Sequence, residues 1–133
     1  MAPHPLPCPD PQTRPFWDAC LAGRLLYQRC TSCGTTQFTP RVYCERCQSP
    51  ALEWHESARL GTVLSLTRVH RAPLPAFKEK VPYVIAILEM DEGFRLMVNA
   101  QETVAQGIAM DSRVRVGFMT INGVALPVAE ELL

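Results

Sequence analysis

Neither charge is in surplus: 13 Lys and Arg balance 13 Asp and Glu, and the formal net charge is zero. A nucleic-acid binder usually carries a basic excess, because its affinity comes from neutralising phosphates. No stretch approaches the roughly 18 apolar residues of a membrane-spanning helix, so no membrane association is expected. The start, Met1-Ala2-Pro3-His4-Pro5, has neither the basic opening nor the apolar run of a secretion signal. Also missing are a G-x-S-x-G elbow, a phosphate-cradling glycine loop and an H-E-x-x-H helix. Histidine is scarce. His4 sits among prolines that give it no fixed neighbours. His55, beside Glu53 and Glu56, reads as a satisfied surface histidine. No nucleophile, base and orienting group can be assembled by spacing, so the chain shows no catalytic engine of its own.

Cysteine is what the chain does have. Cys30, Cys33, Cys44 and Cys47 form two C-x2-C pairs separated by ten residues. Each pair puts two thiolates on one side of a tight turn. Two such knuckles face to face make the closed tetrahedral S4 site of a structural zinc ribbon. Iron would fill the same cage, so spacing alone leaves the metal open. Two disulfides would be the competing use, and the repeated spacing disfavours it. Gly34 follows the first knuckle where the backbone must turn sharply; the second has Gln48 there instead. A closed site offers no coordination position to a substrate, so this metal would hold structure. Paired thiols without an export signal fit a reducing compartment, and a cytoplasmic location is expected. Cys8 and Cys20 read as a tail thiol and a helix-face thiol.

Six of the twelve prolines fall within the first fifteen residues, so residues 1–12 read as a flexible Pro-rich tail. Residues 13–24 read as a short helix, with Thr13 as its cap, Pro15 in the first turn and Gly23 as its stop. Phe16 and Trp17 on that helix need a surface to cover. It is either this chain's own ribbon or a partner subunit, for which both would be docking residues. Residues 25–57 form the ribbon, with strands expected at 25–29, Gln37-Phe38, Val42-Tyr43 and 52–55. Residues 58–133 carry five strand signals: 61–70, 81–90, 94–99, 113–118 and 124–128. The second is apolar on both faces and reads as a central buried strand. In the last, Val124, Leu126 and Val128 alternate as the apolar face. Asp91-Glu92-Gly93 and Asn122-Gly123 are turn signals, and a weakly helical piece follows the third strand. The fold class is thus mainly β: a short N-terminal helix and a zinc ribbon, followed by a five-stranded OB-type barrel, with an open sandwich as the competing fold.

With this organisation the chain resembles the DUF35 family, OB-fold proteins with an acyl-CoA-associated zinc ribbon. The resemblance rests on Phe16-Trp17, on Gly23-Arg24-Leu25-Leu26-Tyr27-Gln28-Arg29-Cys30, and on Pro40-Arg41 and Trp54. Gly61-Thr62-Val63-Leu64-Ser65, Pro82-Tyr83 and Asp91-Glu92-Gly93 extend it, covering nearly everything from residue 13 onward. Ile108-Ala109-Met110 departs from the family's Ile-Gly-Met. The resemblance implies a zinc-binding accessory subunit of a thiolase-fold enzyme. Such complexes carry out acyl-CoA condensation, acetyl transfer to phloroglucinol polyketides or steroid side-chain aldol cleavage; other members accompany hot-dog-fold acyl-CoA hydratases. In them the thiolase-like partner holds the catalytic residues, and the accessory chain bridges subunits and helps line the site for a coenzyme A thioester.

That expectation gives a role to the connection between the first two barrel strands, since OB barrels commonly recognise ligands through it. Arg68, His70, Arg71, Lys78 and Lys80 would meet phosphates of coenzyme A. Leu74 and Phe77 would cover the acyl or pantetheine arm, or the loop would simply touch the partner subunit. The alternative function is a single-stranded nucleic-acid-binding ribbon and barrel, with Tyr83 and Phe94 as stacking platforms. Asp91 and Glu92 beside Phe94, and the neutral chain, weigh against it. An independent acyl-CoA enzyme is a third reading, and it lacks a catalytic set.

Overall fold

A computed structural model of the chain describes residues 10–71 and 82–133. Its first element, α1 (Arg14–Leu21), is launched by a turn that Asp10 closes. The Asp10 carboxylate accepts the N–H groups of Gln12 and Thr13 at 2.9 and 2.8 Å, which holds its pKa below the usual value. Thr13 occupies the N-cap position but makes no side-chain cap bond; its hydroxyl turns back to accept the Asp10 N–H. The expected threonine cap is therefore corrected: Pro15 has no N–H to cap, and the Phe16 N–H goes to Thr13 O. Pro15 lies in the first turn as expected. At the other end Gly23, at φ +77°, lets Arg24 N–H reach Ala19 O and Gly23 N–H reach Cys20 O. Those two bonds satisfy carbonyls the helix itself leaves free.

The ribbon is a three-stranded sheet in the order β2 (Thr36–Gln37), β1 (Leu26–Cys30), β3 (Leu52–Glu56). Val42-Tyr43 is not a strand, and both residues are exposed. Two buried glutamines explain the difference. Gln28 Oε1 accepts from Gln37 Nε2 and from the Arg41 N–H, while Gln28 Nε2 donates to Arg41 O. Gln37 Oε1 accepts the Glu45 N–H. Side-chain amides thus replace the backbone ladder that a strand at 42–43 would have needed.

The barrel is closed, with β4 (Leu60–Val69), β5 (Tyr83–Met90), β6 (Arg95–Ala100), β8 (Val124–Leu132) and β7 (Arg113–Ile121) in that order round the wall. Helix α2 (Glu102–Ala105) lies between the third and fourth strands, as an OB fold requires. Closure comes from an antiparallel β4–β7 ladder and a parallel β6–β8 ladder of two residue pairs. Val63, Val84, Leu88, Met90, Val114 and Val116 fill the interior, each almost wholly buried.

Two strands differ from their sequence pattern. In β5 only Val84, Ala86, Leu88 and Met90 face inward; Ile85 and Ile87 lie on the outer face, with Ile87 exposed. The apolar run therefore marks an outer surface with little polar cover rather than a strand buried on both sides. In β8, Ala125, Val128 and Ala129 are buried, whereas Val124 and Leu126 are only partly so. The tight Asn122-Gly123 turn, with both residues at positive φ, fixes that register.

Ribbon and barrel meet through an aromatic file. His55 stacks on Tyr27, Tyr27 on Phe94, Phe94 on Phe38, and Phe38 meets Phe16 edge-on, with ring centroids 4.8–5.9 Å apart. Beside it Glu92 hooks the linker: its carboxylate accepts from Ser57 Oγ and Ala58 N–H, both at 2.8 Å. Arg113 clasps Asp91 in the same hairpin through two bonds of 2.6 and 2.9 Å, which lowers the Asp91 pKa.

Candidate metal centre and apolar groove

The four cysteines converge as their spacing predicts. Their Sγ atoms all lie within 4.8 Å of one another, with Cys30–Cys47 at 3.5 Å and Cys33–Cys44 at 3.6 Å. Tetrahedral zinc with bonds near 2.3 Å needs sulfurs about 3.8 Å apart, so the residues present fit the ion. Cys30 and Cys44 are buried; Cys33 and Cys47 are exposed.

The electrostatics ask for a cation. The Cys33 N–H lowers the Cys30 pKa, and the Thr35 hydroxyl, at 3.1 Å, is the main cause that lowers Cys33 to about 6. Cys47 goes the other way. The Ser49 N–H lowers it, but slight desolvation and its three thiol neighbours outweigh that bond and push it up to about 12. Four thiolates this close repel one another unless a dication neutralises them. Zinc held there would supply a cross-link, with all four coordination positions taken by the protein.

Each knuckle ends in a residue of left-handed backbone: Gly34 at φ +78° and Gln48 at φ +63°. Gln48→Gly should therefore stabilise the zinc-loaded protein by about 0.5 kcal/mol, the relief of left-handed strain less glycine's extra unfolded-state entropy. Thermal melts of the two proteins check this. A loss of stability would mean that the Gln48 side chain contributes more than its backbone costs.

Of the other expected site residues, Phe16 is 3% exposed and packs on this chain's own Phe38. Trp17 is half-buried, meeting Phe16 edge-on. Arg68 donates to Ala105 O at 3.0 Å, at the C-terminal end of α2. His70 and Arg71 are exposed just beyond β4. Leu74, Phe77, Lys78 and Lys80 lie outside the described residues. Phe94, considered as a base-stacking platform, is 2% exposed within the aromatic file, so that use is corrected.

Sequence reasoning missed a groove of ≈350 Å³ on the barrel's outer wall. It runs between β6 and β8 and ends against Trp17, Phe38 and Pro40. Met97 on its margin is 69% exposed. The outward-facing apolar residues of β5 and β6 were the available signal.

A tetrathiolate ribbon leading into a closed five-stranded barrel defines a class, the zinc-ribbon OB-fold proteins. Two family models match it: the rubredoxin-like zinc ribbon domain of ChsH2 over residues 17–53 and the ChsH2 C-terminal OB-fold domain over residues 54–119. The chain belongs to the DUF35 family. It is 40% identical over 85 residues to a probable enoyl-CoA hydratase alpha subunit of Thermomonospora curvata, covering 63% of this chain and 26% of that one. It is 38% identical over 73 residues to a DUF35 domain-containing scaffold protein of Methanocaldococcus jannaschii, covering 54% of this chain and 51% of that one. The chain thus matches about a quarter and about half of these relatives' lengths. Among solved structures, a chain of the Ltp2-ChsH2(DUF35) aldolase superposes with a TM-score of 0.79 at 31% identity, covering 92% of this chain and 96% of that one. No helix among the described residues is long and apolar enough to cross a membrane.

Proposed function

We propose that this chain is a zinc-stabilised scaffold subunit of an acyl-CoA-processing complex whose catalytic partner has a thiolase fold. The observation that carries the reading is the likeness to the Ltp2-ChsH2(DUF35) aldolase, which extends over 92% of the chain rather than one motif. The ribbon braces the subunit interface. Arg68 near the end of β4, with His70 and Arg71 just beyond it, would meet the phosphates of a coenzyme A thioester, while the partner supplies nucleophile and base. Condensation, acetyl transfer and retro-aldol cleavage all belong to this division of labour.

Purification from native lysate through a tag on this chain tests the reading. A stoichiometric thiolase-fold partner is expected, with thioester turnover by the complex and none by this chain alone. Recovery of the chain without such a partner, or turnover by the isolated chain, would sink it.

A further inference from the structure

Strand β6 is paired along one edge and open along much of the other. In the β5–β6 hairpin the Met90 N–H donates to Phe94 O at 2.9 Å, making those two a hydrogen-bonded pair. Along the register Leu88–Leu96 and Ala86–Val98 are then hydrogen-bonded as well, and Glu89–Arg95, Ile87–Met97 and Ile85–Asn99 are not. The N–H and C=O groups of Arg95, Met97 and Asn99 therefore point away from β5. Asn99 meets β8 in the parallel ladder. The β6–β8 ladder pairs Asn99 with Val128 and Ala100 with Ala129 and does not extend to Met97 or Arg95.

Those groups face the groove. Leu96, Met97, Val98 and Asn99 line it in unbroken succession. Side chains alternate along a strand, so consecutive lining residues mark a cavity that runs along an edge rather than over a face. The facing wall, Leu126, Pro127 and Val128, is consecutive too. Counting from the tight turn, Phe118–Pro127 is a pair whose backbone groups point away from β7, toward β6, and proline has no N–H to offer there. One wall therefore presents donors and acceptors at alternate residues, about 6.6–6.8 Å apart. The other has apolar side chains, and its backbone lacks a donor at Pro127.

We propose that this groove receives an extended peptide segment of the catalytic subunit, which adds to β6 as a further strand. The proposal rests on the subunit reading above and names the surface that reading needs. Pairing to Met97 supplies affinity through the backbone, while Trp17, Ile85, Leu126 and Pro127 select the segment's side chains. A helix keeps its own backbone groups paired and cannot answer an open edge.

Hydrogen exchange at residue resolution tests this on the free chain and on the complex purified through its tag, with the partner identified by mass. The Met97 amide should exchange freely in the isolated chain and slow at least ~100-fold in the complex. Met97→Pro deletes a donor that β5 does not use. The variant should keep the barrel's circular dichroism and melting temperature while raising the Kd for the partner at least ~10-fold. Met97→Thr, which keeps the N–H, should bind within about threefold of the parent. Parent-like binding by Met97→Pro, or an unprotected Met97 amide in an intact complex, overturns the proposal. Protection already present in the free chain, or produced by coenzyme A without the partner, overturns it equally. Should Met97→Pro fail to fold, the exchange result on the parent protein decides. Failure to recover any thiolase-fold partner instead removes the subunit reading itself.

Discussion

Cys44→Ser should release the metal and unfold the ribbon while leaving the barrel strands paired. Zinc binding and folding are one event in a module whose own core is so small, and structural zinc contributes about 10–16 kcal/mol in isolated fingers. Cys44 is the ligand to choose because its sulfur also accepts the N–H groups of Arg46 and Cys47, at 3.4 and 3.5 Å. Serine keeps the size but not the soft anionic donor. The measurement is metal content by elemental analysis, with amide exchange across residues 25–57 and across the barrel. A folded ribbon without a bound transition metal would contradict the assignment of the four cysteines. Acid should act in the same direction: metal binding requires thiolates, so metal should be lost as protons return to them.

Phe94→Ala should destabilise the protein by about 3–5 kcal/mol, the usual cost of emptying a buried phenylalanine site. The larger consequence is mechanical. Phe94 is the one ring of the file contributed by the barrel, lying between Tyr27 on the ribbon and Phe38 just after β2. Removing it takes away the stack that holds ribbon and barrel together, leaving the Glu92 hook. Denaturant unfolding monitored separately at Trp54 and by far-UV circular dichroism should then lose its coincidence. A single shared transition with an unchanged midpoint would show that the file is ornamental to the coupling.

The metal centre was legible because C-x2-C geometry is local and needs no knowledge of the rest of the chain. Two of the barrel's hairpins were legible for a similar reason, since Asp91-Glu92-Gly93 and Asn122-Gly123 mark them. Val42-Tyr43 was misread because pattern alone cannot show that Gln28 and Gln37 hold that segment with their side chains. Ile85 and Ile87 were misread because an apolar residue looks the same in sequence whether its neighbour is its own core or an uncovered outer wall. The role of Phe94 depends on rings brought from residues 27 and 38, and the groove depends on the hydrogen-bonding phase of two strands. Both are products of register, which hydrophobic pattern leaves unspecified at long range.

Register also gives Pro127 a meaning beyond its place in a strand. With an ordinary residue there, β8 could go on zipping to β6 past Asn99, and the barrel would stitch its own seam closed. The imino nitrogen works as a doorstop: it denies the chain the next rung, so the opening persists after folding is complete.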